Sequence, residues 1–263
     1  KDVRYVQVMQ RRGNMQKLHN EWLTVKGGKI GPEVQFGHIM GHELEKPVLL
    51  LKSCIGNRSL GWDLLPPGSE RFEHGDRVYA GYKETPSSWP KGTDPEKPKH
   101  NWYAGKQYDD DVANAKKVLE NLDKYYPGAK DYEVAGFVWW QGHKDQNPAH
   151  ASRYEHNLVN LIKALRKDFN APEAKFVLAT IGFGGEKLSG PGKTIAEAQL
   201  AVDGDTGKYP DFKGNVAAID SRPLWRDKSV SPSGAGYHYN HNAETYMDVG
   251  NALGWAMADL LEK

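Results

Sequence analysis

The chain has 263 residues, 38% of them hydrophobic and 26% charged, which suits one large or two small globular domains and excludes a disordered chain. Its 35 Lys and Arg stand against 34 Asp and Glu for a formal charge of +1, so no global field draws it to nucleic acid or anionic lipid and neither partner is expected. No apolar run approaches the roughly 18 to 20 residues of a membrane span, and the single cysteine, Cys54, excludes an internal disulfide or a Cys-based zinc site.

The chain opens on Lys1 without an initiator Met, and Val3 to Met9 alternates as a β-strand does. Further strand-like runs follow at Pro47 to Ser53, Glu133 to Gln141, Lys175 to Ile181 and Asn215 to Asp220. Helical spacing appears between them. Tyr108 to Tyr125 places Val112, Ala115, Leu119 and Leu122 on one face, and Ser152 to Phe169 does the same with Tyr154, Leu158, Leu161, Ile162 and Leu165. A last helix begins near Asn242, a good N-cap, and carries Tyr246, Val249, Leu253, Met257 and Leu260. The runs Val48 to Leu51 and Val134 to Val138 are apolar throughout, as strands covered on both faces are. Alternating strands and helices of this kind predict an α/β protein, a three-layer sandwich with a mostly parallel sheet, over the single domain 1–263.

Two stretches lack periodicity. Residues 66–106 are rich in proline and glycine and carry Phe72, Tyr79, Tyr82, Trp89, Trp102 and Tyr103, which reads as a long aromatic loop insertion. Its rings either stack on a ligand or pack a small core of their own. Gly182 to Lys193 has five glycines directly after a strand, where open α/β sheets bind ligands, but it lacks the spacing of a phosphate-binding loop.

Three segments fall at predicted strand ends: Ser53 to Trp62, Trp139 to Asp145, and Gly236 to Asn242. Together they resemble the SGNH hydrolase superfamily, in its branch of carbohydrate acetylesterases related to sialate O-acetylesterase. That branch has a Gly-Gly-x-Ser-Leu block, a Trp-x-Gln-Gly-Glu-x-Asp block and a histidine block before the last helix. Gly56-Asn57-Arg58-Ser59-Leu60 is similar to the first, with Asn57 at the second glycine, and Gln141-Gly142-His143-Lys144-Asp145 to the second, with His143 at the Glu. His238-Tyr239-Asn240 is similar to the third, and Gly31-Pro32-Glu33 with Phe36-Gly37-His38 and Asn242 to Tyr246 also match the branch.

The resemblance implies a flavodoxin-like SGNH fold and a serine esterase that removes O-acetyl groups from carbohydrate. It implies His238 as general base, Gly56, Asn57 and Gln141 as oxyanion donors, and Arg58, Trp62 and Asp145 in the substrate pocket. It implies no metal and no organic cofactor. His238 and His241 stand three apart, yet no third zinc ligand is evident nearby. Secretion or a periplasmic location is expected, since enzymes of this branch often meet extracellular polysaccharide.

Two departures from the branch shape the expectation. Its nucleophile block, Gly-Gln-Ser-Asn-Met, is absent from the sequence, so the central strand and its serine are expected upstream of Lys1, which leaves the domain incomplete at its N-terminus. Ser53 and Ser59 are hydroxyls near the site, but neither lies in a Gly-x-Ser-x-Gly elbow. The Asp that the branch has three residues before its histidine is Ala235 here, leaving Asp145, Asp227, Glu244 or a backbone carbonyl to orient His238. The alternatives are a carbohydrate-binding relative that has lost its nucleophile and an esterase for other small acyl esters.

Overall fold

A computed structural model describes residues 3–25, 27–28, 30–97 and 101–262. Lys1, with any segment expected before it, and positions 98–100 of the insertion lie outside the described residues. The fold is mixed α/β, and among the described residues the strands form three sheets of three.

The first sheet pairs β1 (Val3–Arg11) with β2 (Asn14–Trp22) antiparallel and with β3 (Val48–Ser53) parallel, in the register Val3 to Val48 through Val8 to Ser53. Sequence reading missed β2 because it is an edge strand with polar side chains toward water, so it lacks the apolar alternation of a half-buried strand. The second large sheet is all parallel: β7 (Gly136–Trp139), β8 (Lys175–Ala179) and β9 (Val216–Ile219) in that order. Phe176 to Ala179 are fully buried, as their apolar run requires. The single, mostly parallel sheet expected from the sequence is thus divided: among the described residues β3 pairs only with β1, and β7 only with β8.

Helices join the two sheets. The helix α1 (Glu33–Glu43) packs on α6 (Ala243–Glu262), and the two share a core with Val3 and Val48 of one sheet and Val177 and Ala179 of the other. Gly250 permits this approach, because a Cβ there would lie 2.2 Å from the Pro32 carbonyl oxygen. The α6 start is capped by Asn242, whose Oδ1 accepts from the Thr245 N–H at 3.3 Å. A second core gathers Tyr108 of α2 (Lys106–Leu119), Tyr154 and Leu158 of α4 (Pro148–Asp168), and Ile195 of α5 (Gly190–Leu200) over Phe176 and Leu178. A short helix α3 (Leu122–Tyr125) closes the stretch that began as α2. The helix α5 starts inside the Gly182 to Lys193 patch, whose glycines conceal it from propensity.

The insertion is more structured than its composition suggested. It holds β4 (Phe72–His74), β5 (Arg77–Tyr79) and β6 (Ser88–Pro90), an antiparallel sheet over a small core of Leu65, Ala80, Trp89 and Ala104. No described helix is long and apolar enough to cross a membrane.

Candidate active site

The loops that leave β3 and β7 meet at the C-terminal edge of their strands, the usual ligand edge of parallel sheets. After β3 the chain turns at Asn57, whose φ of +58° lies in the left-handed region that asparagine tolerates better than other non-glycine residues. Gly56 and Asn57 are exposed, and their backbone N–H groups donate to no described residue. Arg58 turns inward: its Nε donates to Gln107 Oε1 at 3.3 Å and its guanidinium lies 5.1 Å from the centre of the Trp102 ring. Gln107 Nε2 in turn donates to Asp111 Oδ1 at 2.8 Å. Burial pushes the Asp111 carboxyl up to about 7.

After β7, Gly142 adopts φ +150°, and a Cβ there would meet Ile181 Cγ2 at 2.8 Å, so the turn needs glycine. The Gln141 side chain is spent on neighbours. Its Nε2 donates to Arg58 O at 2.9 Å and Asp145 Oδ2 at 2.7 Å, and its Oε1 accepts from Tyr154 OH at 2.8 Å. Gln199 Nε2 completes this knot by donating to Gln141 O at 2.7 Å. Asp145 is wholly buried and accepts the Leu60 and Gly61 N–H groups at 2.8 Å each. His150 Nδ1 stands 3.3 Å from Asp145 Oδ1.

The third loop precedes α6 and is built on backbone strain. Tyr239, Asn240 and His241 are consecutive non-glycine residues at φ +49°, +55° and +56°. Tyr239 anchors the turn: its buried ring lies 4.7 Å from both the Trp140 and Phe183 rings, and its hydroxyl accepts the Gly182 N–H at 3.2 Å. Asn240 Nδ2 donates to Arg226 O at 2.9 Å. This arrangement leaves His238 exposed, stacked 5.4 Å from His241 and beside Tyr237 at 4.6 Å. His143, on the β7 loop, lies 6.0 Å from the same Tyr237 ring, and desolvation together with the nearby His238 lowers its pKa.

The family description of carbohydrate esterase, sialic acid-specific acetylesterase, matches residues 84–258. This chain belongs to that carbohydrate esterase family. It is 30% identical over 99 residues to a probable carbohydrate esterase of Arabidopsis thaliana, a match covering 37% of this chain and only 36% of that relative. The crystal structure of the same Arabidopsis protein superposes with a TM-score of 0.54 at 18% identity, covering 95% of this chain and 79% of that one. At that identity the likeness is one of fold.

Against this family frame, the sequence-derived site residues divide. The loops carrying Gly56, Asn57, Arg58 and Gln141 are brought together by the Gln141 to Arg58 bond. No hydrogen bond or ring contact among the described residues joins His238 to the Gly56–Asn57 turn; the β7 loop contacts the loops of both. Two expectations change. Asp145, with no exposed surface, lines no pocket. Both amide hydrogens of Gln141 are committed, so its side chain has none left for an oxyanion. Trp62 is partly buried and packs against the small core of the insertion.

Among the described residues, no hydrogen bond or ion pair joins His238 to Asp145, Asp227 or Glu244. Asp145 serves Leu60 and Gly61, Asp227 accepts the Ser229 N–H at 3.0 Å, and Glu244 pairs with Arg226 at 3.4 Å. The hydroxyls of Ser53 and Ser59 donate to Asp111 O at 2.8 Å and Asp63 Oδ2 at 3.2 Å, so each is tied to structure. Tyr154, Gln199, Tyr239 and His150 were missed, since each acts through contacts distant in sequence.

Proposed function

We propose that this chain supplies most of the active site of a serine esterase that removes O-acetyl groups from carbohydrate, with the serine provided from outside residues 1–263. The observation that carries this reading is the exposed Gly56–Asn57 amide pair, braced on the β7 loop beside the strained turn that presents His238. In the reaction, the serine hydroxyl attacks the acetyl carbonyl while His238 takes its proton. The Gly56 and Asn57 N–H groups hold the resulting oxyanion; one such donor is worth about 2.7 to 4 kcal/mol. Collapse breaks the ester bond, His238 returns the proton to the departing sugar hydroxyl, and water then releases acetate from the acyl-serine by the same steps.

The divided sheet supports a place for that serine. The free edges of β3 and β7 belong to sheets that share the α1–α6 core, and Val138 in β7 is 42% exposed while Val177 and Leu178 in β8 are fully buried. A parallel strand between β3 and β7 would pair both edges, bury Val138 and complete a three-layer SGNH sandwich. The proposal extends to an acetylated carbohydrate substrate met outside the cytoplasm, in a secretory or periplasmic setting.

The test is acetate release from aryl acetates and O-acetylated sugars by the full-length protein and its His238→Ala variant. Loss of about 10²-fold or more in kcat is expected for the variant. The reading fails if the full-length protein releases no acetate or the variant matches it; sugar binding without turnover would favour a non-catalytic carbohydrate-binding relative.

A further inference from the structure

Asp145 is the most heavily engaged ionisable side chain near the candidate site, and the chemistry described so far does not use it. Its carboxylate has no exposed surface, yet it sits on a short turn only four residues beyond Gln141. A buried charge is tolerated only when hydrogen bonds replace its water. Here three groups do so: the N–H groups of Leu60 and Gly61 and the Gln141 side-chain amide, with His150 Nδ1 standing 3.3 Å away and making no hydrogen bond. The first two come from the loop after β3 and the third from the end of β7, so one carboxylate ties the two loops together.

The neighbouring packing holds this contact in one geometry. Gly61 lies against the His150 ring, where a Cβ on Gly61 would come within 2.5 Å of the imidazole. His150 is itself fixed at the start of α4, its N–H donating to Asn147 Oδ1 at 3.0 Å, and its ring meets Tyr79 of the insertion edge-on at 6.1 Å. The Gly56–Asn57 turn therefore hangs from a short loop pinned at Arg58 by Gln141 and at Leu60 and Gly61 by Asp145.

We propose that Asp145 is a positioning residue that locks the loop after β3 onto the loop after β7 and so sets where the Gly56 and Asn57 amides point. It touches no substrate; it acts through the backbone it holds. The prediction for kcat rests on the esterase reading, whereas the prediction for the loop does not. Charge-assisted bonds to backbone N–H groups are roughly twice as strong as neutral ones. Displacement of reacting groups by about 1 Å can cost about 100-fold in rate.

The experiment combines amide hydrogen exchange with steady-state kinetics on the full-length protein, using Asp145→Asn, Asp145→Glu and Gly61→Ala. Asp145→Asn keeps the shape of the side chain but presents one acceptor oxygen for two N–H groups. Gly61→Ala leaves Asp145 intact but forces the loop off His150, a second route to the same displacement. Slow exchange at Leu60 and Gly61 in the parent is expected, with protection lost in Asp145→Asn and kcat down about 100-fold while KM moves less than about threefold. Asp145→Glu restores part of the kcat, and Gly61→Ala repeats the kcat-selective loss.

A folded Asp145→Asn protein with protected Leu60 and Gly61 amides and parental kcat would overturn the proposal, as would a loss confined to KM. If the parent hydrolyses no acetyl ester while the exchange result holds, the esterase reading fails and the loop lock stands. If the parent is active and neither exchange nor kcat changes, the lock fails and the esterase reading stands.

Discussion

Tyr239 offers a direct way to weigh the strained turn beneath His238. Three consecutive left-handed residues cost about 1 to 2 kcal/mol each for ordinary side chains, and Tyr239, Asn240 and His241 persist there because other contacts hold them. The ring of Tyr239 is only 6% exposed and lies between Trp140 and Phe183. Truncating a buried aromatic to alanine costs about 3 to 5 kcal/mol, and a buried N–H left without its acceptor costs about 1 to 3 kcal/mol. Tyr239→Phe removes only the acceptor of the Gly182 N–H and is expected to cost about 1 to 2 kcal/mol. Tyr239→Ala removes ring and hydroxyl together and is expected to cost about 4 to 8 kcal/mol, enough for the turn to relax. Urea denaturation of both variants measures these losses, and the kcat of whatever remains folded at low urea reports whether His238 is still presented. A Tyr239→Ala protein within about 1 kcal/mol of the parent would show that the aromatic cage does not hold the turn, since cavity and unpaired N–H alone should exceed that.

The Asp111 carboxyl, raised to about 7 by burial, binds its proton more tightly folded than unfolded. Its contribution therefore makes stability fall as pH rises from about 4 through about 7, and Asp111→Asn, which can still accept from Gln107, should gain on the parent across that window in denaturation followed at several pH values. At Asn57 the φ of +58° makes Asn57→Gly nearly neutral, whereas Asn57→Ala should lose about 1 kcal/mol and kcat together. Equal thermal midpoints for the glycine and alanine variants would contradict that reading.

What was legible in the sequence is what local chemistry decides. The apolar-rich strand β8 and the helical spacing of α4 and α6 read true because burial selects those residues position by position. Asn57, which stands at a glycine position of the family block, takes the left-handed conformation that a glycine there would adopt freely. The loops after β3 and β7 meet, as expected of loops at the same end of parallel strands. The edge strand β2 was hidden by its polar side chains, and the small sheet of the insertion by strands of three residues each. The work of Asp145 and Tyr239 was hidden for a different reason. A carboxylate near a strand end reads as a pocket residue until its partners are known, and those partners, Leu60 and Gly61, lie 85 and 84 residues away. Likewise, Gln141 has the residue type of an oxyanion donor, but its two amide hydrogens are claimed by groups that only the fold brings near.

A serine supplied from outside residues 1–263 is tested most directly by labelling. The full-length protein, treated with a fluorophosphonate that phosphonylates activated serines with loss of fluoride, is digested and mapped by mass spectrometry. Label is predicted on one serine outside residues 1–263, with labelling lost in His238→Ala. Label on Ser53 or Ser59, or acetate release by a protein that takes up no label, would contradict it.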